Sequence, residues 1–231
     1  MKNFLFLLLL SIQFGFSQTT LEKAEKLYAD NKLLEAKEMF SSYLASNPNQ
    51  PKCIEYLGDI AGKLEQWDEA IKQYDALKTL FPKNANYYYK LGGAMGMKAK
   101  SVNKFKALGM IDKVESTFLT ATKLDAKHID SRLALVMFYL ELPAIVGGSE
   151  TKAQKFAAEI MNISLVEGYL TKGYIDVYFD RYHEALTNYS KAYKIENSQK
   201  TYERLYDLYL NKMQHKSKAR QLKEEYYKLG K

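Results

Sequence analysis

The sequence predicts an all-α fold, an α-solenoid of about six helix-turn-helix pairs, and three observations carry the prediction. One pattern recurs at an offset of 34 residues: Ala24, Gly58 and Gly92 in one slot, Ala36 and Ala70 in a second, Phe40 and Tyr74 in a third, Pro48 and Pro82 at the close. A period of that length marks stacked units that each bury a face against the next. Strand signals are scarce, with no sustained two-residue alternation and no Asn-Gly or Asp-Gly turn. All four prolines, at 48, 51, 82 and 143, fall at proposed helix boundaries.

The first pair runs from about Gln18 to Gln50, with Ala24, Leu27, Ala36, Phe40, Tyr43 and Pro48 in its slots. The second is the cleanest. Ile54, Leu57, Gly58 and Ala61 mark its first helix, Gln66 to Glu69 the turn, and Ala70, Tyr74 and Leu77 its second helix. Gly58 and Ala70 are small because two antiparallel helices cross closely there, and Tyr74 and Trp67 fill the space they leave. Pro82 stops the helix, since it lacks an N–H and clashes with the preceding turn.

The third pair opens with Tyr88, Leu91, Gly92 and Met95, but its second helix is late, with Phe118 and Ala121 in the aromatic and small slots. The excess falls in the Lys-rich stretch 98–109. The fourth joins a helix over about 129–141 to one over about 150–162 through another enlarged link, Leu142 to Ser149. The fifth returns to the pattern with Tyr169, Gly173, Ala185, Tyr189 and Ala192. The sixth, from about Lys200, keeps Ala219 and Tyr226 but has Asp207 in the glycine slot and Lys223 in the aromatic slot. A polar last unit suits the end of a stack, whose outer face meets water.

Residues 1–17 stand apart. A basic start at Lys2, an apolar run from Phe4 to Ile12 and small residues at Gly15 and Ser17 read as a secretory signal peptide cut before Gln18. No later segment is apolar enough to span a bilayer, so residues 18–231 form one domain expected not to be membrane-spanning. The formal charge of +7, or +6 without Lys2, lacks the dense one-faced basic stripe of a nucleic-acid binder, and no nucleic acid is expected. Cys53 is the single cysteine, so no intrachain disulfide forms and the fold rests on its core.

A small residue, Ala-x3-aromatic and a closing Pro at this period resemble the tetratricopeptide repeat over nearly all of residues 18–231. The link at 143–149, followed by Lys152-Ala153, is also similar to a segment of exported bacterial repeat proteins. The Gly15-Phe16-Ser17-Gln18 cut resembles signal peptides of Gram-negative exported proteins, which implies the periplasm. The resemblance implies binding of a protein or peptide along the face lined by the first helix of each pair. A version of that face that clamps a terminal carboxylate uses Lys and Asn. Leu21, Glu25, Tyr28, Glu55 and Asp59 stand here instead, so that specialisation is not expected.

Further along, the same face turns apolar and aromatic. Tyr89, Met97, Leu133, Met137, Leu170, Tyr174 and Tyr178, flanked by Arg204, are the expected partner-binding residues. Such a lining adapts to hydrophobic segments; the competing reading is that these side chains pack on one another as core. The two enlarged links belong to consecutive units and are expected side by side on one edge. Lys100, Lys104, Gly147, Gly148 and Ser149 are its candidate contacts. Gly147-Gly148-Ser149 ahead of a helix could hold an anion, or Ser149 could simply cap that helix.

Nothing in the sequence assembles a catalytic or metal site. His128, His183 and His215 fall in different units, and His183-Glu184-Ala185-Leu186-Thr187 lacks the second histidine of a zinc-protease helix. Gly92-Gly93-x2-Gly96 is not followed by the Gly-Lys-Ser/Thr of a phosphate loop. The expected function is a non-enzymatic periplasmic interaction scaffold without cofactors or metal. The alternative is an accessory subunit of an envelope transport system that holds a small hydrophobic ligand in a closed pocket near Tyr174 and Tyr178. The sequence leaves the oligomeric state open.

Overall fold

The structure, a computed structural model, describes residues 20–228. The expected signal peptide, residues 1–17, lies outside them. Among the described residues every regular element is a helix, and the chain divides after Leu124 into two compact bodies.

The first body holds α1 (20–29), α2 (Leu33–Ser46), α3 (Pro51–Lys63), α4 (Trp67–Leu80), α5 (Ala85–Ser101), the short α6 (Lys104–Leu108) and α7 (Ile111–Leu124). Successive helices pack in tandem; α5 pairs with α7, and α6 is the insertion between them. Ala24, Ala36, Phe40, Cys53, Leu57 and Ile60 form one apolar core across α1, α2 and α3. The second body holds α8 (Ile129–Glu141), a single 3-10 turn (Ala144–Val146), α9 (Glu150–Ile163), α10 (Leu165–Tyr178), α11 (Tyr182–Ile195) and α12 (Gln199–Asp207). A π turn (Leu208–Lys212) and α13 (Lys216–Lys228) follow. Each body is a short α-solenoid.

One contact recurs within the pairs. A Cβ built on Gly58 would lie 2.6 Å from the Tyr74 ring, one on Gly92 2.8 Å from Phe118, and one on Gly173 2.3 Å from Tyr189. In each case the ring occupies the volume that a side chain on the glycine would need. The delayed second helix of the third pair thus restores the same contact through Phe118. In the sixth pair Asp207 and Lys223 are both exposed, so neither half of that contact is present; Tyr226 stacks instead on Tyr202, with ring centroids 4.1 Å apart.

The turns repeat as well. Asn31, Glu65, Asp180 and Gln214 are left-handed, with φ between 56° and 58°. The first pair of positions and the last pair are each separated by the same 34 residues. After the first three, an N–H bonds back to a carbonyl five residues earlier: Lys32 to Leu27, Gln66 to Ala61 and Arg181 to Asp176, each at 2.8 Å. That closes the preceding helix in a Schellman turn. The third and fourth pairs replace this turn with the two enlarged links.

Candidate functional site

In the first body, ion pairs join successive first helices. Lys52 Nζ on α3 lies 2.5 Å from Glu25 Oε1 on α1. Lys90 Nζ on α5 lies 2.7 Å from both Glu55 Oε1 and Asp59 Oδ1 on α3. The Tyr74 hydroxyl also donates to Asp59 Oδ1 at 2.6 Å, and burial with that carboxylate raises its pKa. The acids expected to repel a carboxylate are therefore neutralised by lysines of the same face. Beyond them on α5, Tyr89, Gly93 and Met97 follow one another at four-residue spacing on one side of the helix. Met97 is 42% exposed, and a Cβ at Gly93 would meet nothing within 4 Å. Tyr89 is partly buried, its ring 6.4 Å from Phe118.

In the second body, Leu133 and Met137 follow one row on α8, and Leu170, Tyr174 and Tyr178 one row on α10. The Tyr178 hydroxyl donates to the Leu140 carbonyl at 2.6 Å, which binds the two rows together at the end of α8. Met137 is 39% and Tyr178 45% exposed, while Leu133 and Tyr174 are half-buried. Leu170, by contrast, is 6% exposed and belongs to the core with Ala185, Tyr189 and Tyr202. It supports the row from below rather than presenting it. Arg204, on α12, is exposed. The rows are thus part core and part surface, and Tyr178, near which the alternative ligand-binding reading places a closed pocket, is itself partly exposed.

The enlarged links fall one in each body. Gly147-Gly148-Ser149 is fully engaged within its own fold: the Gly147 N–H donates to Ala144, Gly148 to Pro143 and Ser149 to Tyr139. Ser149 Oγ accepts from the Lys152 N–H at 3.2 Å, so it caps α9. Gly147 has φ 104°, and the Leu142 carbonyl fills the place of a Cβ on Gly148, so both glycines are required by the turn. The N–H groups that would have held an anion are already bonded. Glu150 on the first turn of α9 takes the Arg181 guanidinium at 2.5 Å.

Two residues at the links were missed by sequence reasoning. Phe105, on α6, is 89% exposed, and Ile145, on the 3-10 turn, is 94% exposed. Each is an apolar residue in a non-repeating insertion, where no period assigns it to core or surface. Lys104 is exposed beside Phe105, and Lys100 is exposed at the end of α5. A cleft of about 490 Å3 lies nearby, between the turn at Glu65 to Glu69 and the end of α5; its lining is mixed, with Trp67 and Val102 beside Lys37 bonded to Gln66 and Lys98 to Asp68.

The residues with chemical potential have structural positions. His128 Nδ1 accepts from the Ser131 N–H and caps α8. His183 starts α11 and His215 precedes α13. Cys53 is fully buried, and burial pushes its thiol up to about 11, far from the thiolate that nucleophilic chemistry needs. Among the described residues no group of three or more His, Cys, Asp or Glu could hold a metal ion, and no helix is long and apolar enough to cross a membrane.

The bodies are built from tandem antiparallel helix pairs, the architecture of repeat scaffolds. Comparison with solved structures makes that specific: the fold is the tetratricopeptide repeat fold. A tetratricopeptide repeat protein of Thermus thermophilus is similar with a TM-score of 0.67 at 20% identity, over 84% of this chain and 99% of that one. One from Parabacteroides merdae gives 0.58 at 16%, over 92% and 79%. Human IFIT1, solved as a dimer with m7Gppp-AAAA, gives 0.67 at 19%, over 93% and 51%. No family model matches the sequence, and no curated protein matches it.

Proposed function

We propose that this chain is a non-catalytic scaffold that holds a protein segment against the first helices of its pairs. The observation that carries the reading is the pair of rows on α8 and α10, where Met137 and Tyr178 stay exposed over half-buried Leu133 and Tyr174. An apolar ledge of Met and Tyr, rigidly held by the Tyr178–Leu140 bond, suits a hydrophobic segment that packs by shape. Tyr89 and Met97 offer a second ledge in the first body, and Arg204 a cation for an acidic residue of the partner. Export to the periplasm, as the N-terminal sequence suggests, would bring envelope proteins within reach.

A protein fits this surface better than nucleic acid. A phosphate backbone needs free cations, whereas along the first-helix face of the first body Lys52 and Lys90 are taken by Glu25, Glu55 and Asp59. The m7Gppp-AAAA bound by IFIT1 belongs to that protein. Non-catalytic action is supported by the places of Ser149, His128 and Cys53, each engaged in capping or core.

Affinity capture from envelope extract tests the reading. Met137→Glu and Tyr178→Glu put a charge on the ledge and are expected to weaken capture of the same partner at least tenfold, since an unpaired charge buried at an interface costs more than about 1.4 kcal/mol. Leu34→Glu, at a 66% exposed position on α2, is expected to leave capture unchanged. Equal capture by all three variants would refute the ledge as the site.

A further inference from the structure

The α6 insertion presents a surface that the repeat does not need. Between Asp75 and Asp112 the sequence has seven lysines and no acidic residue. Lys78 pairs with Asp75, Lys90 with Glu55 and Asp59, and Lys98 with Asp68. Lys104 and Lys106 stand exposed on either side of Phe105. Phe105 and Leu108, three residues apart, share one side of α6 and are 89% and 47% exposed. The helix is nonetheless defined, because Asn103 accepts the Lys106 N–H at 3.1 Å and caps it.

An exposed aromatic tip between lysines, with no acid within residues 102–110, matches one occupant best. A folded protein would have to supply a pocket shaped for the tip. A lipid surface supplies apolar depth without shape, while its anionic headgroups meet the cations and the lysine stems snorkel. We propose that the 102–110 insertion is a contact with an anionic membrane surface, with Phe105 and Leu108 entering the headgroup boundary and Lys104 and Lys106 pairing with lipid phosphates.

The test uses the full chain with Leu108→Cys coupled to an environment-sensitive dye; Cys53 is fully buried and stays unlabelled. The probes are vesicles of phosphatidylglycerol mixed equally with phosphatidylcholine, and vesicles of phosphatidylcholine alone. The dye is expected to shift to the blue on the anionic vesicles only. The shift should vanish in 1 M salt, where the Debye length falls to about 3 Å. Phe105→Ser should weaken the response about tenfold, and Lys104→Glu with Lys106→Glu by more than tenfold, each lysine being worth about a factor of five at an anionic surface. These exposed positions leave the fold intact, which circular dichroism checks. No dye response to anionic vesicles, or a response that survives both sets of substitutions, would overturn the proposal. So would a dye response to an acidic protein that the vesicles do not reproduce.

Discussion

Gly58 and Gly93 show how position decides what a residue is for. Both lie inside helices of the first body, where Ala is intrinsically favoured over Gly by up to about 1 kcal/mol. A Cβ on Gly58 would press into the Tyr74 ring at 2.6 Å, and Tyr74 is held by its bond to Asp59, whereas a Cβ on Gly93 meets open space. Gly58→Ala is therefore expected to lower the midpoint of urea unfolding, overpacking costing about 1–3 kcal/mol before the propensity gain. Gly93→Ala is expected to raise it, with a gain in stability of about 0.5–1 kcal/mol. Gly173→Ala belongs with Gly58, because the Tyr189 ring lies 2.3 Å from the built Cβ. These slots were legible in the sequence because close helix crossings admit few residue types. The exposure of Phe105 and Ile145 was not, because an insertion has no period from which burial can be counted. Leu170 was misplaced for a related reason: a row of i, i+4 residues crosses from core to surface along one helix, and spacing alone does not say where.

At the scale of elements, the turns and the bonds between helices carry the register. Glu65 adopts the left-handed conformation that glycine takes without strain, as does Asn31, which tolerates it better. Glu65→Gly should stabilise the first body by about 0.5 kcal/mol in thermal unfolding, part of the relief being offset by the freer unfolded chain; Asn31→Gly should change it less. A pH dependence belongs to the ion pair between Glu150 on α9 and Arg181, the residue before α11. The hydrogen bond from Arg181 holds the Glu150 carboxyl below its ordinary value of 4.5. The folded state then binds fewer protons than the unfolded one, so this pair's contribution is present above pH 4.5 and is lost as the pH falls through the depressed folded value. Arg181→Ala is expected to flatten the acid side of the second body's stability profile, and an unchanged profile would remove the pair from the account. The boundaries of the fourth pair were readable despite its poor match, since Pro143 and the Gly147-Gly148-Ser149 run mark both ends of the link. What the sequence left open there, an anion site or a cap, was decided by backbone bonds that no side-chain pattern encodes.

For the molecule as a whole, two bodies of stacked helix pairs use many of their polar groups in caps, turns and inter-helix ion pairs. Tandem architecture was legible because its period is written in the sequence; which part of the surface meets a partner was less so, because half-buried tyrosines serve core and interface alike. The most direct measurement places a photo-activatable amino acid at Met137, in living cells, with the same residue at Leu34 as the reference. The account predicts a protein cross-link from position 137 that is absent from position 34 and disappears when Tyr178→Glu is added. A cross-link of equal yield from both positions, or one from 137 that Tyr178→Glu leaves untouched, would contradict it.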